Sequence, residues 1–206
     1  MTETKQLHFY WDIGSTNTYF AFHLIKPLIR KYEVELVYHP FNLGYVFRAH
    51  DYQLMDEPRP KLSNRRRDLQ RWAAHYQLPF RMPDQFPIKT STALRGSLVM
   101  RELGLEQAYL EALFQAYWEN NDASIATYDG LERIAASLDL APADFRAACE
   151  AEPIRDALIQ STDEALADGI FGAPTIKIDD EIYWGKDRMD FVEAHLAGNP
   201  ALPPRA

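Results

Sequence analysis

The alternation of apolar and polar positions changes character three times along the chain. Leu7 to Asp12 (Leu-His-Phe-Tyr-Trp-Asp) is a nearly continuous apolar run, the pattern of a strand covered on both faces in a parallel sheet. Ile13-Gly14 reads as a turn. From Ser15 a helical period of about four turns carries Tyr19, Phe20, Leu24 and Leu28, with Pro27 inside it predicting a kink. Val34 to Tyr38 is the next strand, so the chain opens as a βαβ unit. Between Pro40 and Pro60 the period is lost and a loop is expected. Helical patterns then follow in series: Ser63 to Gln77 with Leu69, Trp72, Ala73 and Tyr76 on one face, Thr92 to Leu103, and Glu106 to Glu119. Tyr128 to Leu138, Pro142 to Ala151 and Pro153 to Asp168 complete the series, with Pro153 suited to a first turn and Gly169 to a C-terminal cap. Thr175 to Asp179 and Glu181 to Trp184 alternate around an Asp179-Asp180 turn. A last helix is expected from about Lys186 to Ala197, stopped by Gly198 and Pro200 and followed by a fraying Pro-rich tail. The economical arrangement is α/β: one sheet interrupted by a helical insertion.

Composition narrows the function. With 206 residues, 47% of them hydrophobic, the chain can bury a sizeable core. Its single cysteine, Cys149, cannot close an intramolecular disulfide or run dithiol chemistry alone, which points to the cytoplasm. Met1 to Gln6 is polar, and no run approaches the ~20 apolar residues of a membrane span, so a soluble, unexported protein is expected. A net charge of −8 argues against a nucleic-acid partner, because phosphate binding needs a basic surface. Arg65-Arg66-Arg67 is too local to reverse that, and reads as a solvated helix face that could, with Lys61, draw an anion toward a cleft. The six histidines, at 8, 23, 39, 50, 75 and 195, show no metal-ligand spacing, and no metal site is expected. Cys149, in an Ala-rich helix without a neighbouring base, reads as a buried structural thiol.

Two segments could carry chemistry. Ser15 stands at the joint between a buried strand and a helix, where its hydroxyl and the first backbone N–H groups face one small volume. A simple N-cap and an anion partner both require that position, and the two readings are compatible. Phe171-Gly-Ala-Pro-Thr175 precedes the terminal hairpin, with Pro174 at the head of a strand and a candidate for the cis form. Together, Ser15-Thr-Asn-Thr18 and Ala173-Pro-Thr175 occupy the two corners of a thioredoxin active site.

At these residues the sequence resembles bacterial 2-hydroxychromene-2-carboxylate isomerases and kappa-class glutathione transferases. Asp12-Ile-Gly-Ser-Thr-Asn-Thr-Tyr-Phe-Ala21 is similar to their Asp-Phe-x-Ser-Pro-(Phe/Tyr)-x-Tyr-(Leu)-Ala opening. Lys61 with Asp68-Leu-Gln-Arg-Trp-Ala73, Leu78-Pro-Phe80, Phe86-Pro87, Ala116-Tyr-Trp118, Gly169 to Thr175 and Tyr183-Trp-Gly-Lys-Asp-Arg-Met-Asp-Phe-Val192 extend the likeness over nearly the whole chain. The resemblance implies a DsbA-like thioredoxin fold, roughly residues 1 to 45 and 160 to 206, interrupted by an all-helical domain from about 46 to 159. It implies glutathione as cofactor, with Ser15 donating to the sulfur and the backbone of Ala173, beside a cis Pro174, pairing with the cysteinyl part. Lys61 would reach the glycine carboxylate, and Lys186 and Asp187, at the start of the last helix, the γ-glutamyl end. It also implies a homodimer, for which the sequence offers no apolar stripe. The family proline and aromatic after the serine are Thr16 and Asn17 here. The family tyrosine three residues after the lysine is Asn64, and no match to the family asparagine stands among His50, Asp51 and Tyr52. The substrate pocket, expected around Asn17, Asn64 and Trp118, therefore differs from that of the isomerase. Three functions are left open: a glutathione-dependent isomerase or transferase acting on an aromatic or conjugated electrophile, a disulfide oxidoreductase, and a non-catalytic binding protein.

Overall fold

The computed structural model describes residues 5–53 and 57–202. The polar start at 1–4, part of the expected loop at 54–56 and the end of the Pro-rich tail at 203–206 lie outside them. Two strands open the chain, β1 (Gln6–Trp11) and β2 (Glu35–Pro40), on either side of α1 (Thr16–Tyr32). Two close it, β3 (Thr175–Ile178) and β4 (Glu181–Trp184), followed by α9 (Met189–Leu196). Between them run α2 (Leu43–Ala49), α3 (Arg59–Tyr76), α4 (Ser91–Glu102), α5 (Glu106–Phe114), α6 (Tyr128–Ser137), α7 (Pro142–Glu150) and α8 (Glu152–Ala167).

The four strands form one sheet in the order β2-β1-β3-β4. β1 pairs β2 in parallel, Phe9 opposite Tyr38, and β3 antiparallel, Phe9 opposite Ile176; β4 runs antiparallel to β3. This is the thioredoxin arrangement, a parallel crossover pair joined to an antiparallel hairpin. Because side chains alternate along a strand, Leu7, Phe9 and Trp11 enter the main core with α1 and the helical middle, while Tyr10 joins a second core with Phe41, Val46, Ala165, Ile170 and Ala173. The main core continues from β1 through Tyr109, Phe114, Trp118 and Phe145.

Several expected boundaries change. The segment after Pro40 is not all loop: Asn42 caps α2 by accepting from the Tyr45 N–H at 2.9 Å. This seven-residue helix buries Val46 alone, so it has no apolar stripe to read in the sequence. α3 starts earlier than expected, at Arg59, with Pro60 in its first turn, which places Lys61 on the helix. α1 runs unbroken through Pro27. Gln115–Glu119 continues α5 as a π-helical turn, and Ala123–Ala126 forms a 3-10 turn. The last helix begins at Met189, so Lys186 and Asp187 stand in the turn before it. Among the described residues no helix is long and apolar enough to cross a membrane, and no cluster of three or more His, Cys, Asp or Glu side chains could hold a metal ion.

Candidate active site

Ser15 caps α1 with extended backbone (φ −98°, ψ 119°), and its Oγ accepts from the Thr18 N–H at 3.4 Å. The same Oγ donates to the Ala173 carbonyl at 2.8 Å, across 158 residues of sequence. The Ala173-Pro174 peptide is cis, and the Pro174 carbonyl accepts from the Gly185 N–H at 3.0 Å. The two segments singled out in the sequence are thus one hydrogen-bonded corner. The N–H groups of Thr16 and Asn17, in the first turn, have no partner among the described residues, so the positive end of α1 is open where the serine stands.

The turn is held from below by Asp12, only 2% exposed. Its carboxylate accepts from Gly14 N–H at 2.8 Å, Leu43 N–H at 3.0 Å and Thr90 Oγ1 at 3.1 Å, and its carbonyl accepts from Ser15 N–H at 3.1 Å. Burial pushes its pKa up to about 6, against the pull of those three hydrogen bonds.

Ser15 opens onto a cleft of about 690 Å³. One wall is α2 and the residues after it, with Leu43, Phe47, His50 and Tyr52; the second is α3, with Lys61, Leu62, Arg65, Arg66 and Leu69. Met82 and Phe86 form part of the floor, and Phe171, Gly172, Ala173 and Trp184 the third side. Phe171 and Trp184 pack at 5.3 Å between ring centroids yet remain 47% and 49% exposed, an aromatic rim available to a ligand. Gly172 permits that rim, since a Cβ there would lie 2.6 Å from the Trp184 indole nitrogen. Glu57 pairs with Lys61 Nζ at 3.0 Å and with the Arg65 guanidinium, and the Lys61 hydrogen bond holds its carboxyl below the usual range. Against that one acid, Lys61, Arg65 and Arg66 leave the cleft basic.

The structure brings together Ser15, Asn17, Lys61 and Ala173 around this cleft, with Pro174 in the cis peptide beside Ala173, while Asn64, Trp118, Lys186 and Asp187 do not line it. Trp118 is a correction: it is fully buried, its indole N–H donates to the Ile13 carbonyl at 3.0 Å, and it stacks on Phe80 and packs at a tilt against Phe86 rather than lining the cleft. Asn64 is another, exposed and roughly 115° around α3 from the middle of the stripe of Lys61, Leu62, Arg65 and Leu69. Lys186 lies with its Nζ 4.1 Å from the centre of the Trp72 ring, and burial lowers its pKa. Asp187 is exposed and pairs with Arg188 at 3.0 Å. Arg65 and Arg66, which the sequence offers as a solvated face able to draw an anion toward a cleft, line it; Phe47 and Trp184 are cleft residues that sequence reasoning did not assign. Phe47 was hidden because α2 carries no apolar stripe.

Cys149 is buried, and its thiol is pushed up to about 12, so it offers no nucleophile. A larger hollow of about 950 Å³ lies against the other sheet face, among His8, Tyr10, His39, Asp168 and Lys177. Its groups are spent on one another: Asp168 accepts from Tyr10 at 2.8 Å and Lys177 at 2.9 Å, and the two imidazoles meet at 2.9 Å. The cleft at Ser15 is the candidate site because it alone of the two joins an unspent helix terminus to a polar side chain.

Residues 6–197 match the family described as DSBA-like thioredoxin domain. The chain is 30% identical to a 2-hydroxychromene-2-carboxylate isomerase of Pseudomonas sp. (strain C18), covering 93% of this chain and 90% of that protein. It is 29% identical to the isomerase of the same name from Sphingobium xenophagum, covering 94% and 98%. It is 23% identical to glutathione S-transferase kappa 2 of Caenorhabditis elegans, over 96% and 94%. Among solved structures, a 2-hydroxychromene-2-carboxylate isomerase superposes with a TM-score of 0.83 at 24% identity, over 94% of this chain and 95% of that one. The cytosolic disulfide reductase DsbM of Pseudomonas aeruginosa, solved with GSH, superposes with a TM-score of 0.66 at 19% identity, over 94% and 98%. Those two structures bear on the fold.

Proposed function

This chain belongs to the DSBA-like thioredoxin-domain family, alongside 2-hydroxychromene-2-carboxylate isomerases and kappa-class glutathione transferases, and from that premise we propose that it is a glutathione-dependent isomerase or transferase for an aromatic or conjugated electrophile. The observation that carries the reading is the Ser15 hydroxyl, bonded to the Ala173 carbonyl at 2.8 Å beside two free N–H groups, in a cleft without a cysteine.

In this reading the cysteinyl N–H of glutathione takes over the Ala173 carbonyl as a strand-like partner. The Ser15 proton is then released to turn toward the sulfur. A free thiol of pKa about 8.5 is only ~3% ionised at pH 7; a hydroxyl donor and a helix terminus worth about 1.4 kcal/mol move it one unit, to ~25%. A hydroxyl cannot form a mixed disulfide with the sulfur it stabilises, which favours addition over exchange. The thiolate adds to a conjugated carbonyl, forming a C–S bond while the alkene pair moves onto the carbonyl oxygen as an enolate. The bond so reduced in order rotates, and collapse of the enolate expels the thiolate to give the isomer. Where the electrophile carries a leaving group, the same attack yields a transferase product.

Lys61 would exchange Glu57 for the glycine carboxylate, and Arg65, bound to the same Glu57, stands ready to share it. Asp187, exposed beyond the cleft lining and paired with Arg188 at 3.0 Å, would exchange that partner for the γ-glutamyl amine. Lys186, its Nζ 4.1 Å from the centre of the Trp72 ring, keeps N–H donors for the γ-glutamyl carboxylate. Asn17 replaces an apolar ring at the mouth of the cleft. The cytoplasm, where glutathione is kept reduced, is the compartment this chemistry needs. Calorimetric titration should give saturable glutathione binding at about millimolar concentration or below, weaker for Lys61→Ala, with no glutathione-driven insulin reduction. Absence of binding at several millimolar, or robust insulin reduction, would overturn the proposal.

A further inference from the structure

Asp12 takes three donors from three separate parts of the chain: Gly14 N–H in the turn that carries Ser15, Leu43 N–H at the first residue of α2, and the Thr90 hydroxyl just before α4. Its own carbonyl receives the Ser15 N–H at 3.1 Å. Only an acceptor-only group can receive all three donors at once; an amide would set N–H against N–H. The fit is close as well, since a Cβ on Gly14 would meet Thr90 Cγ2 at 3.2 Å and Asp12 Oδ1 at 3.3 Å. A buried ion without a counter-charge is a poor device for stability alone. Its location, beneath the turn of one cleft wall and at the root of another, suggests what it serves.

We propose that Asp12 is a positioning residue that locks the Ser15 turn to the α2 wall, so that the placement of the serine hydroxyl and of Leu43 and Phe47 depends on one carboxylate being ionised. This rests on the reading of Ser15 given above, and it extends that reading to the group that sets the serine's geometry. The groups facing the carboxylate are Gly14 from the βα turn, Leu43 from α2 and Thr90 from the start of α4, and no ionised side chain contributes to its titration. A proton on Asp12 turns an acceptor into a donor; the Thr90 hydroxyl can reverse to accept it, but the Gly14 and Leu43 N–H groups cannot, so their bonds lose the charge that strengthens them and the common anchor of the turn and the helix weakens. Burial brings that event to about pH 6, within reach of experiment.

The test follows the backbone amide resonances of Gly14, Ser15 and Leu43 between about pH 4.5 and 8 in the ligand-free protein, together with glutathione affinity over the same range. The three amides should titrate with one shared midpoint, and glutathione should bind about threefold or more weakly below it than above it. Asp12→Asn should abolish the shared titration. Thr90→Val, which removes one donor from the carboxylate and keeps the side-chain shape, should move the midpoint up by about half a unit or more. Amides that titrate separately, a midpoint untouched by Thr90→Val, or glutathione affinity flat across a midpoint the amides obey would each overturn the inference. Wild-type protein that binds no glutathione would count against the proposed function, while the amide titration would still decide the link between the turn and α2. If Asp12→Asn does not fold, Thr90→Val carries the decision alone.

Discussion

At the scale of single residues, chemistry and burial separate cleanly. Ser15 was legible because strand, turn and cap are local features that the sequence writes in order, and Ala173 was legible because a proline heads the next strand. Trp118 and Asn64 were not, because which side of a helix faces a cleft is set by packing that local pattern does not encode. Trp118 sits behind Phe86, filling the space under the cleft, and its N–H is spent on Ile13. Cys149 follows the same logic in the opposite direction. Burial pushes its thiol up to about 12, so in the native state it should resist a thiol-specific chromogenic reagent at pH 8, and one equivalent should react after unfolding. Prompt reaction of the folded protein would show the thiol to be accessible and would reopen a redox role.

At the scale of elements, long amphipathic helices and alternating strands were readable, and α2 was not. A helix that buries only Val46 declares itself through its cap rather than through a stripe. Asn42 does more than cap: its backbone N–H donates to Thr162 Oγ1 at 3.1 Å and its amide to Ser91 Oγ at 3.0 Å, tying α2 to α8 and α4. Asn42→Ala should therefore cost about 1–2 kcal/mol of stability, measured by urea unfolding, and weaken ligand binding through the wall that carries Phe47. Unchanged stability would mean that α2 is held by its packing alone. The start of α9 was misplaced for a related reason. Gly185 takes φ +104° and its N–H bonds the Pro174 carbonyl, so the chain is committed to a turn through Lys186 and Asp187 before helix can begin.

At the scale of the whole molecule, the sheet and the helical middle were legible as a class because β character stands at both ends of the chain and helical period between them. The continuity of the core was not, since nothing local says that Trp11 will meet Phe114. That shared core has a consequence for pH. Burial, with His8 adding to it for His39 and Lys26 for His23, lowers both His23 and His39 to about 4, so the folded state holds them neutral. The stability they contribute is present above pH ~6.5 and is lost as pH falls through about 4. Asp12, raised to about 6, works the other way: its contribution is full below pH ~3.8 and lost as pH rises through about 6. Near pH 5 the unfolded chain therefore binds about one proton more than the folded one, and stability should fall by roughly 1 kcal/mol per unit of acidification. His39→Gln should flatten that slope in urea titrations at pH 7 and 5, and an unaltered slope would remove His39 from the account. The claim on which the function depends is that the protein lowers the pKa of a sulfur it does not own. Its most direct test is the thiolate absorbance of bound glutathione, titrated with pH in wild type and Ser15→Ala. The account predicts a bound thiol about one unit more acidic than free glutathione in wild type, returning toward the free value in the variant; the same pKa in both proteins would contradict it.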